Sequence, residues 1–414
     1  MKFLSKEKDI LPIKEQYRIQ DEILKYRLEH LLPKLMKESG VDMWLVICRE
    51  YNEDPVFRTL TPALMKSASR LCCLIFSLDE QGNFEALNLS RPNPAFSPYY
   101  KHSYDPKTQN QWDAIKEVVL SRNPKKVTVN DSNVTAQADG MSKRLWDDLY
   151  AILGDRLEQD GTMAIRWLET RSKMELELYP SIYEIAMRIQ KEAYSREVIT
   201  PGVTTTTDVE WYIMQRISDM GLEAWFSPDV DLQRKGGNGQ RLSGVVIEEG
   251  DMLHTDMGIT YMGLNTDSQR LAYVLREGET EVPADLMAGF RKGNRFQDIV
   301  RENYVEGRTG NEIFAASIKQ AEAEGIRAML YTHPIGFYGH AAGPNLGLYD
   351  NQGFVPGYGE LKLYPDTCYA LELNITDYVP EWEQDVRFML EETIAFTEGT
   401  TKFVGPGRDE IILI

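Results

Sequence analysis

The sequence predicts two domains of different class, an α/β domain over residues 1–168 followed by an α+β domain over residues 169–414. Three observations lead there. A chain of 414 residues is too long for one ordinary domain. Its first part alternates helix-periodic and strand-like runs. Its second part opens on helices and passes, from about Val245, into strands with hairpin-like connections, the pattern of a mainly antiparallel sheet.

In the first domain Ile23, Leu24, Leu28, Leu31 and Leu35 recur at helical spacing, and Gly40 stands where a helix would end. Met43 to Cys48 reads as a buried strand. Leu71–Leu78 and Phe84–Leu89 flank Gly82-Asn83, a hairpin turn. Helical stretches at Trp112–Leu120 and Ser142–Leu153 bracket a strand at Val127–Val129. In the second domain Ser172 and Glu175 form a Ser-x-x-Glu capping box before a long helix, with Pro180 marking a kink or restart. Further helices are expected at Asp208–Met220, Ala284–Val300 and Asn311–Glu324. The Gly-, Pro- and Tyr-rich stretch Ala341–Pro365 reads as an ordered loop over a site.

Composition narrows the function classes. Hydrophobic content of 42% with 27% charged residues is that of a globular protein. With 64 acidic against 46 basic residues the net charge is −18, which argues against nucleic acid and anionic membrane surfaces as partners. No apolar run approaches a membrane span, and the N-terminus is charged where a signal peptide is apolar, so a cytoplasmic location is expected. A secreted or periplasmic location would require a leader removed from this sequence. Four cysteines, with Cys72 and Cys73 adjacent in a strand, read as core thiols rather than a disulfide framework.

The chemistry concentrates in the second domain. In Leu253-His-Thr-Asp-Met-Gly-Ile-Thr-Tyr-Met-Gly-Leu-Asn-Thr-Asp-Ser-Gln-Arg270 two strand-like runs meet around Tyr261–Gly263, so Asp256 and Asp267 are expected to face one another across a hairpin. Buried together, two carboxylates repel, and a divalent cation between them removes the cost. The plain alternative is an exposed hairpin with two solvated aspartates. Three of the five histidines, His254, His333 and His340, fall in this segment and in Thr332-His-Pro-Ile-Gly-Phe-Tyr-Gly-His340, and imidazole is a common metal ligand. Glu372 in Tyr369-Ala-Leu-Glu-Leu373 and Glu391 in Val386–Thr397 interrupt core-like strands where an acid needs a partner. An oxygen-rich dinuclear metal site accounts for all of them.

The order Asp, Asp eleven later, His, Glu, Glu resembles the ligand set of the pita-bread metallopeptidases: methionine aminopeptidase, aminopeptidase P and prolidase, with creatinase a metal-free relative. The first domain looks like that of the aminopeptidase P, prolidase and creatinase branch. The resemblance implies a pita-bread catalytic domain, two divalent ions (manganese, with cobalt or zinc as alternatives) and a homodimer. It implies Asp267 and Glu391 as bridging ligands, Asp256 completing one site, and His333 with Glu372 the other. Glu372 would act as general acid-base for a metal-bridging hydroxide, and His340 would hold the scissile carbonyl. Glu391 rather than Glu392 is chosen because Glu-Glu-Thr-Ile-Ala-Phe-Thr overlays the family's Glu-Asp-Thr-Val-Leu-Val-Thr.

Two departures stand out. Proline-directed relatives carry a histidine about seventeen residues before the first aspartate, where this chain has Gly239-Gln240-Arg241, so Gln240 or Arg241 would have to substitute. The family arginine precedes the last glutamate by two residues, whereas Arg387 precedes Glu391 by four. Positions two and four back share a strand face, so Arg387 is a candidate substrate contact, against the plain reading of a surface arginine paired with Asp385. Arg49–Asp54 reads as a polar turn, or as a segment reaching a neighbouring subunit's site. The expected function is an exopeptidase cleaving before proline, as Xaa-Pro aminopeptidase or Xaa-Pro dipeptidase. Hydrolysis of a non-peptide C–N bond and non-catalytic peptide binding on the same fold are the alternatives.

Overall fold

The computed structural model describes residues 10–414. Residues from Leu11 to Glu175 form one compact unit and those from Leu176 to Ile414 another.

In the first unit α1 (Ile13–Tyr26) runs through a π turn at Arg27–Leu31 into α2 (Leu32–Ser39). Gly40 ends this helical run in the left-handed region (φ 66°), a conformation that costs glycine nothing. A six-stranded sheet follows, built from β1 (Met43–Arg49), β2 (Leu71–Leu78), β3 (Phe84–Asn88), β4 (Lys101–His102), β5 (Val127–Val129) and β6 (Leu157–Gln159) in the order β4-β3-β2-β1-β5-β6. β2 and β3 form the expected antiparallel hairpin. Helices α3 (Gln111–Arg122) and α4 (Lys143–Leu153) pack Ile115, Val119, Leu145 and Leu149 onto Leu45, Ile47, Cys73 and Ile75 of the sheet. α5 (Thr162–Glu169) has no counterpart in the sequence reading. All four cysteines are buried and free, as their strand positions suggested.

α6 (Lys173–Ala193) starts on the expected capping box, with Glu175 N–H donating to Ser172 Oγ and Ser172 N–H to Glu175 Oε2. It continues through Pro180 without a restart. α7 (Thr206–Asp219) carries its own capping box, Thr205 with Asp208. Then come β7 (Glu223–Ala224), β8 (Asp229–Gln233), β9 (Met252–Met257), β10 (Ile259–Tyr261), β11 (Leu264–Asn265), β12 (Ser268–Tyr273), α8 (Ala284–Glu302), α9 (Gly310–Ala323), β13 (Arg327–Leu330), β14 (His333–Pro334), β15 (Thr367–Val379), β16 (Gln384–Thr397), β17 (Thr400–Phe403) and β18 (Ile412–Leu413).

The main sheet runs β13-β15-β16-β12-β9-β8, with β14 on β15, β17 on β16 and β18 on β12. Every pairing in it is antiparallel except β12 with β18. α8 and α9 cover it, burying Phe290, Phe296, Ile299, Val300 and Ile313 against Leu371, Leu373, Phe388 and Leu390. Gly289 and Gly293 let α8 lie close: a Cβ there would stand 2.3 Å from Phe388 and 2.5 Å from Leu390. Since side chains alternate along a strand, Glu372, between Leu371 and Leu373, points away from this core. Among the described residues no helix is long and apolar enough to cross a membrane.

Candidate metal centre

Four polar side chains occupy one row across four adjacent strands. Asp256 on β9 is the register partner of Gln269 on β12, Gln269 that of Glu391 on β16, and Glu391 that of Glu372 on β15. At its outer end the row continues to Asp229 on β8, the partner of Asp256.

The register follows from the turn. β10 and β11 meet at Met262-Gly263, both with positive φ (51° and 81°), as a tight two-residue hairpin turn requires. Thr260 pairs with Asn265, and the same count brings Asp256 opposite Gln269. Asp256 and Asp267 are therefore diagonal neighbours, not directly opposed as the sequence suggested. Asp267, two residues before Gln269, falls level with Gly258. That position tolerates no side chain, because a Cβ would stand 2.0 Å from the Trp225 indole nitrogen.

His333 enters from β14, paired with Ala370. Its Nδ1 lies 3.0 Å from the Pro334 carbonyl, so Nδ1 carries the proton and Nε2 presents a lone pair. Nε2 stands 3.6 Å from Asp267, 3.9 Å from Glu391 and 4.0 Å from Glu372. One ligand atom each from Asp267, His333 and Glu391 lies within 4.8 Å of the others.

Burial makes this cluster expensive without a cation. Asp267 and Glu391 are pushed well above the carboxylate range by burial and then by neighbouring carboxylates. Burial, then the Asp256 charge, lifts Glu372 to about 8, and burial lifts Asp256 to about 6. Burial depresses His333 to about 3, which keeps it neutral. No hydrogen-bond donor reaches Asp256 Oδ1, Asp267 Oδ1 or either Glu391 carboxylate oxygen, and His333 Nε2 is likewise unpartnered. Buried acceptors without donors are costly. The donor set, acidic oxygens with one neutral imidazole, fits divalent cations.

The remaining candidates divide. His340 stacks edge-on against His333, with ring centroids 4.6 Å apart, and against Trp225 at 5.3 Å. His254 does not face the cluster: its Nδ1 lies 3.0 Å from Asp231 and its Nε2 3.0 Å from Gln269 Oε1. Arg241 binds Asp231 and Asp229, and Gln240 is exposed in a turn. Arg387 is not paired with Asp385, which Arg327 holds at 2.6 Å. Its guanidinium instead donates to the Tyr349 hydroxyl at 3.4 Å, from the Ala341–Pro365 loop. Glu392 points to the opposite face from Glu391, into a buried ion pair with Arg270 (2.8 Å) and a hydrogen bond from Tyr183 (2.6 Å).

Sequence reasoning missed Gln269, Asp231 and Trp225. An acid between Val230 and Leu232, in a strand-like run, was the available signal for Asp231. Gln269 carried a subtler one, its place two residues beyond Asp267. Nothing in the sequence marked Trp225, whose site is fixed by two distant glycines: a Cβ on Gly339, like one on Gly258, would collide with it.

The profile of metallopeptidase family M24 matches residues 181–398. No curated protein matches by sequence. Solved structures share the fold. An X-Pro aminopeptidase from Thermotoga maritima is 16% identical with a TM-score of 0.64, covering 92% of this chain and 100% of its own. An Xaa-Pro dipeptidase from Bacillus anthracis is 16% identical at 0.60, covering 96% and 100%. A variant of Escherichia coli aminopeptidase P is 12% identical at 0.61, covering 93% and 94%.

Proposed function

Because the chain belongs to metallopeptidase family M24, we propose that it is a dinuclear exopeptidase that cleaves the bond before proline, as an Xaa-Pro aminopeptidase or Xaa-Pro dipeptidase. Family membership makes it a metallopeptidase with a peptide substrate and a pita-bread catalytic domain; the ion count, the site residues and the proline preference are the proposal. One observation carries it: the in-register row of Asp256, Glu391 and Glu372, joined by Asp267 and His333, gathers acidic oxygens and a neutral imidazole, and both Glu391 oxygens, one oxygen each of Asp256 and Asp267 and His333 Nε2 have no hydrogen-bond partner.

In this reading Asp267 and Glu391 would be shared by two ions, Asp256 would complete one site, and His333 with Glu372 would complete the other. When bound, the ions supply the charge that acidifies a water and polarises the scissile carbonyl. Glu372 would take a proton from the attacking water and return it to the leaving nitrogen. His340, at the rim of the cluster, donates to the carbonyl oxygen as negative charge develops there. Arg387, whose guanidinium donates to Tyr349, is the proposed substrate contact. The proline preference draws support from the proteins that share the fold, which include an X-Pro aminopeptidase and an Xaa-Pro dipeptidase. Manganese is the proposed ion and a homodimer the proposed assembly.

The test is incubation of the protein with Mn, Co or Zn and a panel of Xaa-Pro dipeptides, Xaa-Pro-Yaa tripeptides and proline-free controls. Cleavage confined to dipeptides assigns a dipeptidase, and cleavage of tripeptides an aminopeptidase. Equal cleavage of the proline-free controls removes the proline preference. Metal binding without peptide cleavage sinks the exopeptidase reading.

A further inference from the structure

β8 carries two aspartates on the face that holds the metal-site row, and their surroundings differ. Asp231 is buried, with His254 Nδ1 3.0 Å from its Oδ2 and Arg241 on the same oxygen. Asp229, the register partner of Asp256, keeps 53% of its side chain exposed, and the Arg241 guanidinium lies 3.4 Å from its Oδ2. Directly opposed residues on neighbouring strands share a face and stand roughly 5 Å apart at Cβ. The Asp229 carboxylate therefore borders Asp256 on the solvent side, where a substrate can reach it.

The order of the row gives the substrate a direction. Glu372, which would serve the leaving nitrogen, stands on β15 at one end, and Asp229 stands on β8 at the other, beyond Asp256. The part of the substrate on the carbonyl side of the scissile bond then extends toward Asp229. In an exopeptidase substrate that part is a single residue, whose α-ammonium is two bonds from the scissile carbonyl carbon. From this we propose, resting on the exopeptidase reading above, that Asp229 is a specificity-determining residue that binds the free α-ammonium of the substrate's first residue. A carboxylate accepting from an ammonium is a charge-assisted hydrogen bond, which a blocked or missing amine cannot make. The substrate class is then peptides with an unblocked N-terminus.

The test uses the full chain saturated with Mn2+, as wild type and as Asp229→Asn, which keeps the volume and removes the charge. An uncleavable ketomethylene isostere of Ala-Pro and its desamino counterpart, which lacks only the ammonium, are titrated into each by calorimetry. The Kd of the isostere rises about fivefold in Asp229→Asn, the upper range for an exposed ion pair, while that of the desamino ligand is unchanged. Added salt weakens isostere binding more in the wild type than in the variant. Circular dichroism and metal analysis check that the variant is folded and loaded. Isostere binding that Asp229→Asn leaves unchanged overturns the proposal, as do equal losses for both ligands or equal salt dependence in both proteins. So does a wild type that cleaves peptides yet binds the desamino ligand as tightly as the isostere. A wild type that cleaves no peptide of the Xaa-Pro panel is a different result, which overturns the exopeptidase reading itself.

Discussion

Glu372 and Glu391 are direct cross-strand partners on β15 and β16, two glutamates side by side on the face that α8 and α9 leave uncovered. Like charges in that relation destabilise a sheet. Their surroundings add Asp267 and Asp256 instead of lysine or arginine, so without a cation the carboxyls are driven to hold protons, and a divalent ion relieves that cost.

A divalent ion should therefore stabilise the fold. Thermal unfolding of chelator-treated protein is expected to shift upward on adding Mn2+, by about 2.7 kcal/mol of stability at a hundredfold excess over Kd. Asp267→Ala, which removes a proposed bridging ligand, should abolish most of the shift and the metal content measured by mass spectrometry. An equal shift in wild type and Asp267→Ala would remove Asp267 from the site.

Without metal, stability should fall as pH rises. The Glu372 carboxyl titrates near 4.5 in the unfolded chain and about 8 in the fold, so between those values the native state binds more protons than the unfolded one. Stability is then greatest below pH 4.5 in this component and is lost progressively up to about pH 8. Asp256 adds the same sign between 3.8 and about 6. Urea unfolding of the metal-free protein at pH 5, 6, 7 and 8 measures the slope, and Glu372→Gln should reduce it, with Asp256, Asp267 and Glu391 supplying the remainder. A slope of opposite sign, or one that Glu372→Gln leaves intact, contradicts the assignment.

Catalysis should separate Glu372 from His340. Glu372→Gln is expected to lower kcat by about 10²–10⁴ through loss of proton transfer. His340→Ala should lower kcat by about 10²–10³ through loss of a donor to the oxyanion, with metal content unchanged, since the His340 side chain lies outside the three-residue cluster. Steady-state kinetics with metal analysis on each variant distinguishes them. Metal loss in His340→Ala would make it a ligand instead.

How much of this was legible beforehand depends on range in the sequence. Helix ends were, because their signals are local: Gly40 after α2, Ser172 with Glu175 at the start of α6. The pairing of strands was legible only where a turn fixed it, as at Gly82 between β2 and β3. The diagonal placing of Asp256 and Asp267 was not, since it depends on which two residues, Met262 and Gly263, take positive φ. Arg387 shows the same limit. Its nearby acid, Asp385, is taken by Arg327, a residue 58 positions away in sequence, and no local pattern announces that competition. The site acids stood out because charge inside an apolar strand is conspicuous. Gln269 did not, because an uncharged amide is unremarkable until its neighbours are known.

Gly339 offers a test of the aromatic wall beside His340. A methyl group at this position would lie 2.4 Å from the Trp225 ring. Trp225 cannot yield easily: its indole N–H donates to the Thr266 carbonyl at 2.7 Å, next to Asp267. Gly339→Ala should cost about 1–3 kcal/mol by overpacking, read from urea midpoints, and should lower kcat through the displaced His340 ring. Unchanged stability and kinetics would mean that Trp225 moves freely, and the wall would then have no part in holding His340.

The adjacent glutamates give the sharpest separation of roles. Glu391 has no donor at either oxygen and sits among carboxylates, whereas Glu392, the next residue, faces the other way and accepts from Arg270 and Tyr183. Arg270 also donates to the Glu391 carbonyl at 3.0 Å, so the ion pair braces the strand that carries the proposed ligand. Glu391→Gln relieves crowding among like charges, so the metal-free protein should be as stable as wild type or more so, while metal binding and activity are lost. Glu392→Gln leaves Arg270 buried without its countercharge, and breaking such a pair costs about 3–5 kcal/mol. Its metal affinity should survive wherever the protein remains folded. Urea unfolding of both metal-free variants, followed by Mn2+ titration, measures the two effects separately. If Glu392→Gln loses metal while Glu391→Gln retains it, the assignment of the last ligand is reversed.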